Sequence, residues 1–109
     1  MTGTKRENRG SGNERVTILE DDYVLKLYVT GATPNSLRAI TNIKNICEKY
    51  LLGKYWLEII DIYKDPERAS REQIVALPML IKLQPHPQRK MLGDLSNTTK
   101  VLHALSIKN

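Results

Sequence analysis

An α/β fold, a small mixed sheet flanked by helices, is predicted by three observations. A strand-like alternation over Tyr23–Val29 gives way to a Gly/Pro turn and a long helical repeat. A second strand-like run, dense in aromatic and β-branched residues, follows that helix. A third run, ended by prolines, leads to a short return strand and an amphipathic helix.

The first strand is read from Tyr23, Leu25, Leu27 and Val29 alternating with Val24, Lys26, Tyr28 and Thr30. Only Lys26 and Thr30 are clearly polar, so both faces are expected to be covered and the strand central. Gly31–Thr33 turns the chain. Pro34 suits the first turn of a helix, where its missing N–H costs nothing, and Thr33 is a suitable N-cap. Leu37, Ile40, Ile43, Cys47, Tyr50 and Leu51 recur at helical spacing and predict the inward face, with Gly53 as the stop. Cys47 on that face reads as a packing residue.

Tyr55–Tyr63 (YWLEIIDIY) predicts a second strand. Asp65-Pro66 predicts the start of a short exposed helix running to about Gln73. Ala76–Leu83 (ALPMLIKL) returns to strand character, QPHPQ (84–88) turns, and Arg89–Gly93 predicts an antiparallel return. Ser96 or Asn97 caps a last helix with Val101, Leu102 and Leu105 inward. The order β-α-β-α-β-β-α opens with a parallel pair and a right-handed crossover. This is the thioredoxin-like arrangement.

Residues 1–15 hold almost no large apolar groups and are expected to stay unordered. Residues 1–22 are therefore predicted as a flexible N-terminal tail and 23–109 as the folded domain, with Val16 and Ile18 as candidates for an added edge strand or a contact with a second subunit. The chain has 109 residues and a formal net charge of +5. Residues 1–22 carry a net −1 and the remainder +6, so the positive excess belongs to the folded part. That balance suits an acidic protein partner or a plainly solvated surface. No RRM, helix-turn-helix or zinc pattern supports nucleic acid. No apolar run approaches the ~20 residues of a membrane span, and the N-terminus lacks a signal-peptide core, so a cytoplasmic location is expected.

The turn Gly31-Ala32-Thr33-Pro34-Asn35-Ser36 sits where thioredoxin-like enzymes place a reactive thiol. It contains none, and Cys47 is the chain's one cysteine, so disulfide exchange is excluded. GATPNS does not match a phosphate-binding P-loop. His86 and His103 lie far apart without a metal motif. No catalytic residue, metal or cofactor is expected. Pro78 occupies the place of the cis-proline common in thioredoxin-like folds, and an ordinary trans proline at a strand start is the alternative.

YVLKLYVTGATPNS (23–36), IIDIYKDPE (59–67), ALPMLIKL (76–83) and RKMLGDLSNTTKVL (89–102) occur in order, and together resemble the KaiB family of bacterial clock proteins over about Tyr23 to Leu105. The resemblance implies a non-enzymatic regulator that binds the N-terminal ATPase ring of a KaiC-type hexameric kinase and modulates its phosphorylation cycle, in circadian timing or a related stress response. It also implies a metamorphic chain whose C-terminal half has two arrangements. One is the thioredoxin-like, partner-binding monomer, and the other self-associates as a dimer or homotetramer. The chain departs from the family pattern at Gln73, where a lysine is frequent, at His103–Ser106, and in ending at Asn109. A second reading is a thioredoxin-like adaptor without redox activity that docks a sensor histidine kinase or other stress-signalling protein, since KaiB-like sensor domains share this pattern. Arg38, Lys64, Arg68, Arg71, Arg89 and Lys90 are the candidate partner-binding residues. Arginine grips carboxylates bidentately, lysine acts as a point charge, and such complementarity mainly sets encounter rate and specificity. Asp65–Gln88 is the predicted switch region.

Overall fold

The computed structural model describes residues 4–7, 18–71, 74 and 77–107. Its elements are β1 (Thr4–Glu7), β2 (Tyr23–Val29), α1 (Pro34–Tyr50), β3 (Tyr55–Asp61), α2 (Pro66–Arg71), β4 (Met79–Gln84), β5 (Arg89–Leu92) and α3 (Thr98–Ala104). The sheet order is β1-β3-β2-β4-β5. β2 pairs parallel with β3 from Tyr23↔Tyr55 to Val29↔Asp61 and antiparallel with β4, with one register shift between Val24 and Leu25. β2 is thus central, as its two-sided apolar pattern predicts.

The pleat sorts the strands onto two cores. Leu25, Leu27, Val29, Tyr55, Leu57, Ile59 and Leu80 pack under α1 and α3 together with Ala39, Ile43, Ile46, Cys47, Val101, Leu102 and Leu105. Tyr28, Ile60, Met79 and Ile81 point to the opposite face, with Ile62, Ile74, Leu77 and Leu83 packed around them. Burying each leucine or isoleucine of this kind stabilises the fold by about 1.5–3 kcal/mol. The larger core lies between the sheet and its two longer helices.

α1 begins where the sequence predicts, with Pro34 first and the Thr33 hydroxyl accepting the Ser36 amide at 3.3 Å. Its inward face is rotated from the predicted one. Ser36, Ala39, Ile43, Ile46 and Cys47 are buried, Ile40 and Tyr50 are half-buried, and Leu37 is 50% exposed. The reason lies in the first turn, where the Ser36 hydroxyl accepts the Thr30 amide and so faces the sheet in place of Leu37. Gly53 follows the helix in the left-handed region (φ 78), which glycine enters without a Cβ clash.

β3 ends at Asp61, two residues before the predicted end, because Ile62–Lys64 turn toward α2. The predicted continuation of α2 to Gln73 and the start of the next strand at Ala76 lie outside the described residues, as do the switch-region residues 72–73 and 75–76. The remaining part of that strand begins at Met79. The Leu77–Pro78 bond is cis, as are Gln84–Pro85 and His86–Pro87. Asn97 caps α3 by accepting the Lys100 amide at 3.1 Å.

The N-terminal 22 residues differ from the predicted tail in two places. Thr4–Glu7 form an edge strand antiparallel to β3. A polar segment can do this because an edge strand needs only its backbone to pair. Further on, Asp22 is buried and accepts the Leu19 amide at 2.7 Å, while Gln84 donates to the Leu19 and Asp22 carbonyls at 2.7 and 3.1 Å. Val16 lies outside the described residues, and Ile18 is exposed and belongs to no strand.

Candidate partner-binding surface

The strand-to-helix turn is occupied by its own hydrogen bonds. Asp61 at the end of β3 accepts the amides of Gly31 and Tyr63 at 3.0 and 2.9 Å, which ties the turn to the neighbouring strand. Gly31 has φ 53, and a Cβ there would meet the Tyr63 ring at 3.2 Å. Thr30, Thr33 and Ser36 complete the helix cap. The backbone donors of Gly31, Thr33 and Ser36 are here spent on the fold itself.

Beyond this turn lies a polar cluster that joins α1 to the loop after β5. Arg38 Nε donates to Asp94 Oδ2 at 3.2 Å and its guanidinium also reaches Asn35 Oδ1. Asn42 donates to the Asp94 carbonyl at 2.8 Å. The loop is fixed from below by Leu95, buried at φ 62, and by the Gly93 amide donating to the Pro78 carbonyl at 3.0 Å. Hydrogen bonds from Ser96, with a smaller contribution from Arg38, hold the Asp94 carboxyl below the usual carboxylate range. The Arg38 side chain stays 54% exposed, so it keeps donors for a further carboxylate.

The six predicted residues do not form one patch. Arg89 is opposite Lys82 in the β4–β5 ladder and shares its face with α1 and α3, while Lys90 is opposite Ile81 and belongs to the α2 face. Both are exposed on the edge strand. Lys64 is exposed in the turn before α2. Arg71 is exposed and lies 3.7 Å from Glu67 one helical turn back. Arg68 differs from the rest. It holds both carboxylate oxygens of Glu58, at 2.7 and 3.2 Å, with both side chains mostly buried, and so anchors α2 to the sheet.

Sequence reasoning missed Lys82. It is fully buried, its ammonium 3.4 Å from the Leu105 carbonyl and 6.0 Å from the centre of the Tyr23 ring, while the Tyr23 hydroxyl donates to the Ser106 carbonyl at 3.0 Å. Burial, reinforced by the charge of Arg89, pushes the Lys82 pKa down, and burial raises that of Tyr23. The available signal was its position two residues after Leu80, on the inward side of a strand covered on both faces. Among the described residues no cluster of three or more His, Cys, Asp or Glu could hold a metal ion, and no helix is long and apolar enough to cross a membrane.

A thioredoxin-like frame whose strand-to-helix turn carries no thiol defines a protein of the thioredoxin-fold class. In solved structures this frame is similar to mitochondrial thioredoxin 3 of Saccharomyces cerevisiae (TM-score 0.64, 13% identity, 82% of this chain and 81% of that one). It is equally similar to the N-terminal domain of SasA from Synechococcus elongatus (TM-score 0.63, 23% identity, 89% and 94% covered). The KaiB domain model matches residues 26–107, and the chain belongs to the KaiB family. It is 47% identical over 92 residues to the circadian clock oscillator protein KaiB of Microcystis aeruginosa, covering 84% of this chain and 88% of that one. It is 49% identical over 89 residues to the protein of the same name in Thermosynechococcus vestitus, covering 82% of each.

Proposed function

We propose that this chain is a non-enzymatic regulator that binds a KaiC-type hexameric ATPase and modulates its phosphorylation cycle, in circadian timing or a related stress response. The carrying observation is the family membership across 26–107. The strand-to-helix turn supports it, since it carries no thiol and its Thr33 and Ser36 hydroxyls serve the helix cap. The thioredoxin-like arrangement is the partner-binding one in the family pattern. Arg38 and Arg89 contribute exposed positive charge on the α1 and α3 side, with Lys90, Lys64 and Arg71 on the α2 side, while Arg68 serves the fold. The unbound chain self-associates as a dimer or tetramer and resides in the cytoplasm.

The test is size-exclusion chromatography of the chain with and without the KaiC-type ATPase of the same organism and ATP. Co-elution is expected, and the triple variant Arg38→Glu, Arg89→Glu, Lys90→Glu should abolish it while retaining its circular dichroism spectrum. Absence of co-elution by the native chain overturns the reading. Co-elution of the triple variant overturns the surface alone. The likeness in fold to the SasA N-terminal domain favours a second reading, an adaptor that docks a sensor histidine kinase. Capture by such a kinase and not by the ATPase would select it.

A further inference from the structure

β3 is covered unequally at its two edges. On one side all seven residues pair with β2, and on the other β1 pairs only with Leu57–Ile60. β1 also lies outside residues 26–107, the span shared with the family. The edge that β1 occupies is therefore covered by a segment outside the matched span.

The strand beneath that cap has little to discourage pairing. YWLEIID contains no proline or glycine, and its residues alternate between two covered faces. Its one mid-strand charge, Glu58, is held by Arg68. Edge strands that remain exposed in soluble proteins are normally short, bulged, or carry lysine or proline. β3 has none of these features, so it needs a cover.

We propose that β1 is a displaceable cap on the outer edge of β3, and that the partner it keeps from that edge is a second copy of this chain. β1 runs antiparallel to β3. A second β3 arriving antiparallel would take the same direction and the same kind of backbone bonds. Such a pair is two-fold symmetric, so one contact satisfies both open edges and continues the sheet through the interface. Because β1 is tethered to β2 through residues 8–22, its pairing is intramolecular and competes at a high effective concentration. Loss of β1 shifts that competition toward association.

The test uses the full chain with Lys5→Pro and Arg6→Pro together. Adjacent residues of an antiparallel strand direct their N–H groups alternately, so one of the two must face β3, and proline removes that donor. Hydrogen exchange of the β3 amides should accelerate about tenfold or more while β2 stays protected. In sedimentation velocity, the variant should show concentration-dependent association well above that of the native chain. Lys5→Ala with Arg6→Ala should show neither effect. Unchanged β3 exchange overturns the cap, and accelerated exchange without added association overturns the second copy as the partner. Should the double variant lose β2 protection, the two single proline variants decide. One acting and the other silent supports the ladder, and both acting alike overturns it.

Discussion

The ammonium of Lys82 lies 3.4 Å from the carbonyl of Leu105, inside the core between β4 and the end of α3. A lysine so placed joins the sheet to the segment that closes the domain, at the cost of removing a charge from water.

That cost gives a pH signature. The folded chain binds the Lys82 proton less readily than the unfolded chain, whose group titrates near 10.5. Stability from this group is therefore lowest at neutral pH and rises as pH climbs from the depressed folded value toward 10.5. Lys82→Met, which keeps the volume, should be more stable than the native chain at neutral pH, with the difference shrinking through that window. Urea unfolding of both proteins from neutral pH to pH 10.5 measures it, and a constant difference would refute the assignment.

The Arg68–Glu58 pair should behave as a fold element. Arg68→Ala removes the bidentate guanidinium from a mostly buried carboxylate and should cost roughly 1–3 kcal/mol. Glu58→Gln should cost a comparable amount, and the double variant less than the sum. Chemical denaturation of the four chains reports the coupling.

Gly31→Ala should destabilise by roughly 1–2 kcal/mol, because φ 53 is unfavourable for any residue with a Cβ. The Tyr63 ring in its path is 74% exposed and can move aside. The same substitution in a Tyr63→Ala background should therefore retain most of its cost. Near-complete rescue in thermal melts would assign the effect to the ring instead.

Thr33→Ala and Asn97→Ala each remove a helix N-cap and should each cost about 1 kcal/mol. The caps serve different helices, and each bonds within its own, so the double variant should show the sum. Denaturation midpoints check both statements.

At acid pH the carboxyl of Asp94 matters. Held below its ordinary 3.8 by Ser96 and Arg38, it supplies stability that is complete above that value and lost as pH falls through the depressed folded value. Asp94→Asn should flatten this part of the acid profile and leave the alkaline side unchanged, as followed by unfolding at stepped pH.

Much of this architecture is legible in the sequence because period and punctuation agree. Tyr23–Val29 announces a strand covered on both faces, Tyr55–Tyr63 announces a second strand, and Thr33-Pro34 announces the helix between them. The face of α1 was harder to read. A hydrophobicity pattern favours Leu37 over Ser36, yet the fold needs the Ser36 hydroxyl at the Thr30 amide. Thr4–Glu7 was hidden for a different reason: an edge strand pairs through its backbone and needs no apolar side chains. For the surface, residue type identified the basic groups but not their pairing. Arg68 meets a glutamate on a neighbouring strand, Arg38 meets an aspartate in a distant loop, and only tertiary structure supplies either contact.

Cys47 lies completely buried on the inward face of α1. As the chain's only thiol, it gives the protein an internal reporter of exposure. An alkylating reagent can reach it only during excursions in which α1 parts from the sheet, so the rate of labelling counts those excursions one molecule at a time. It also follows that oxidants in the surrounding medium do not reach this thiol while the fold is closed.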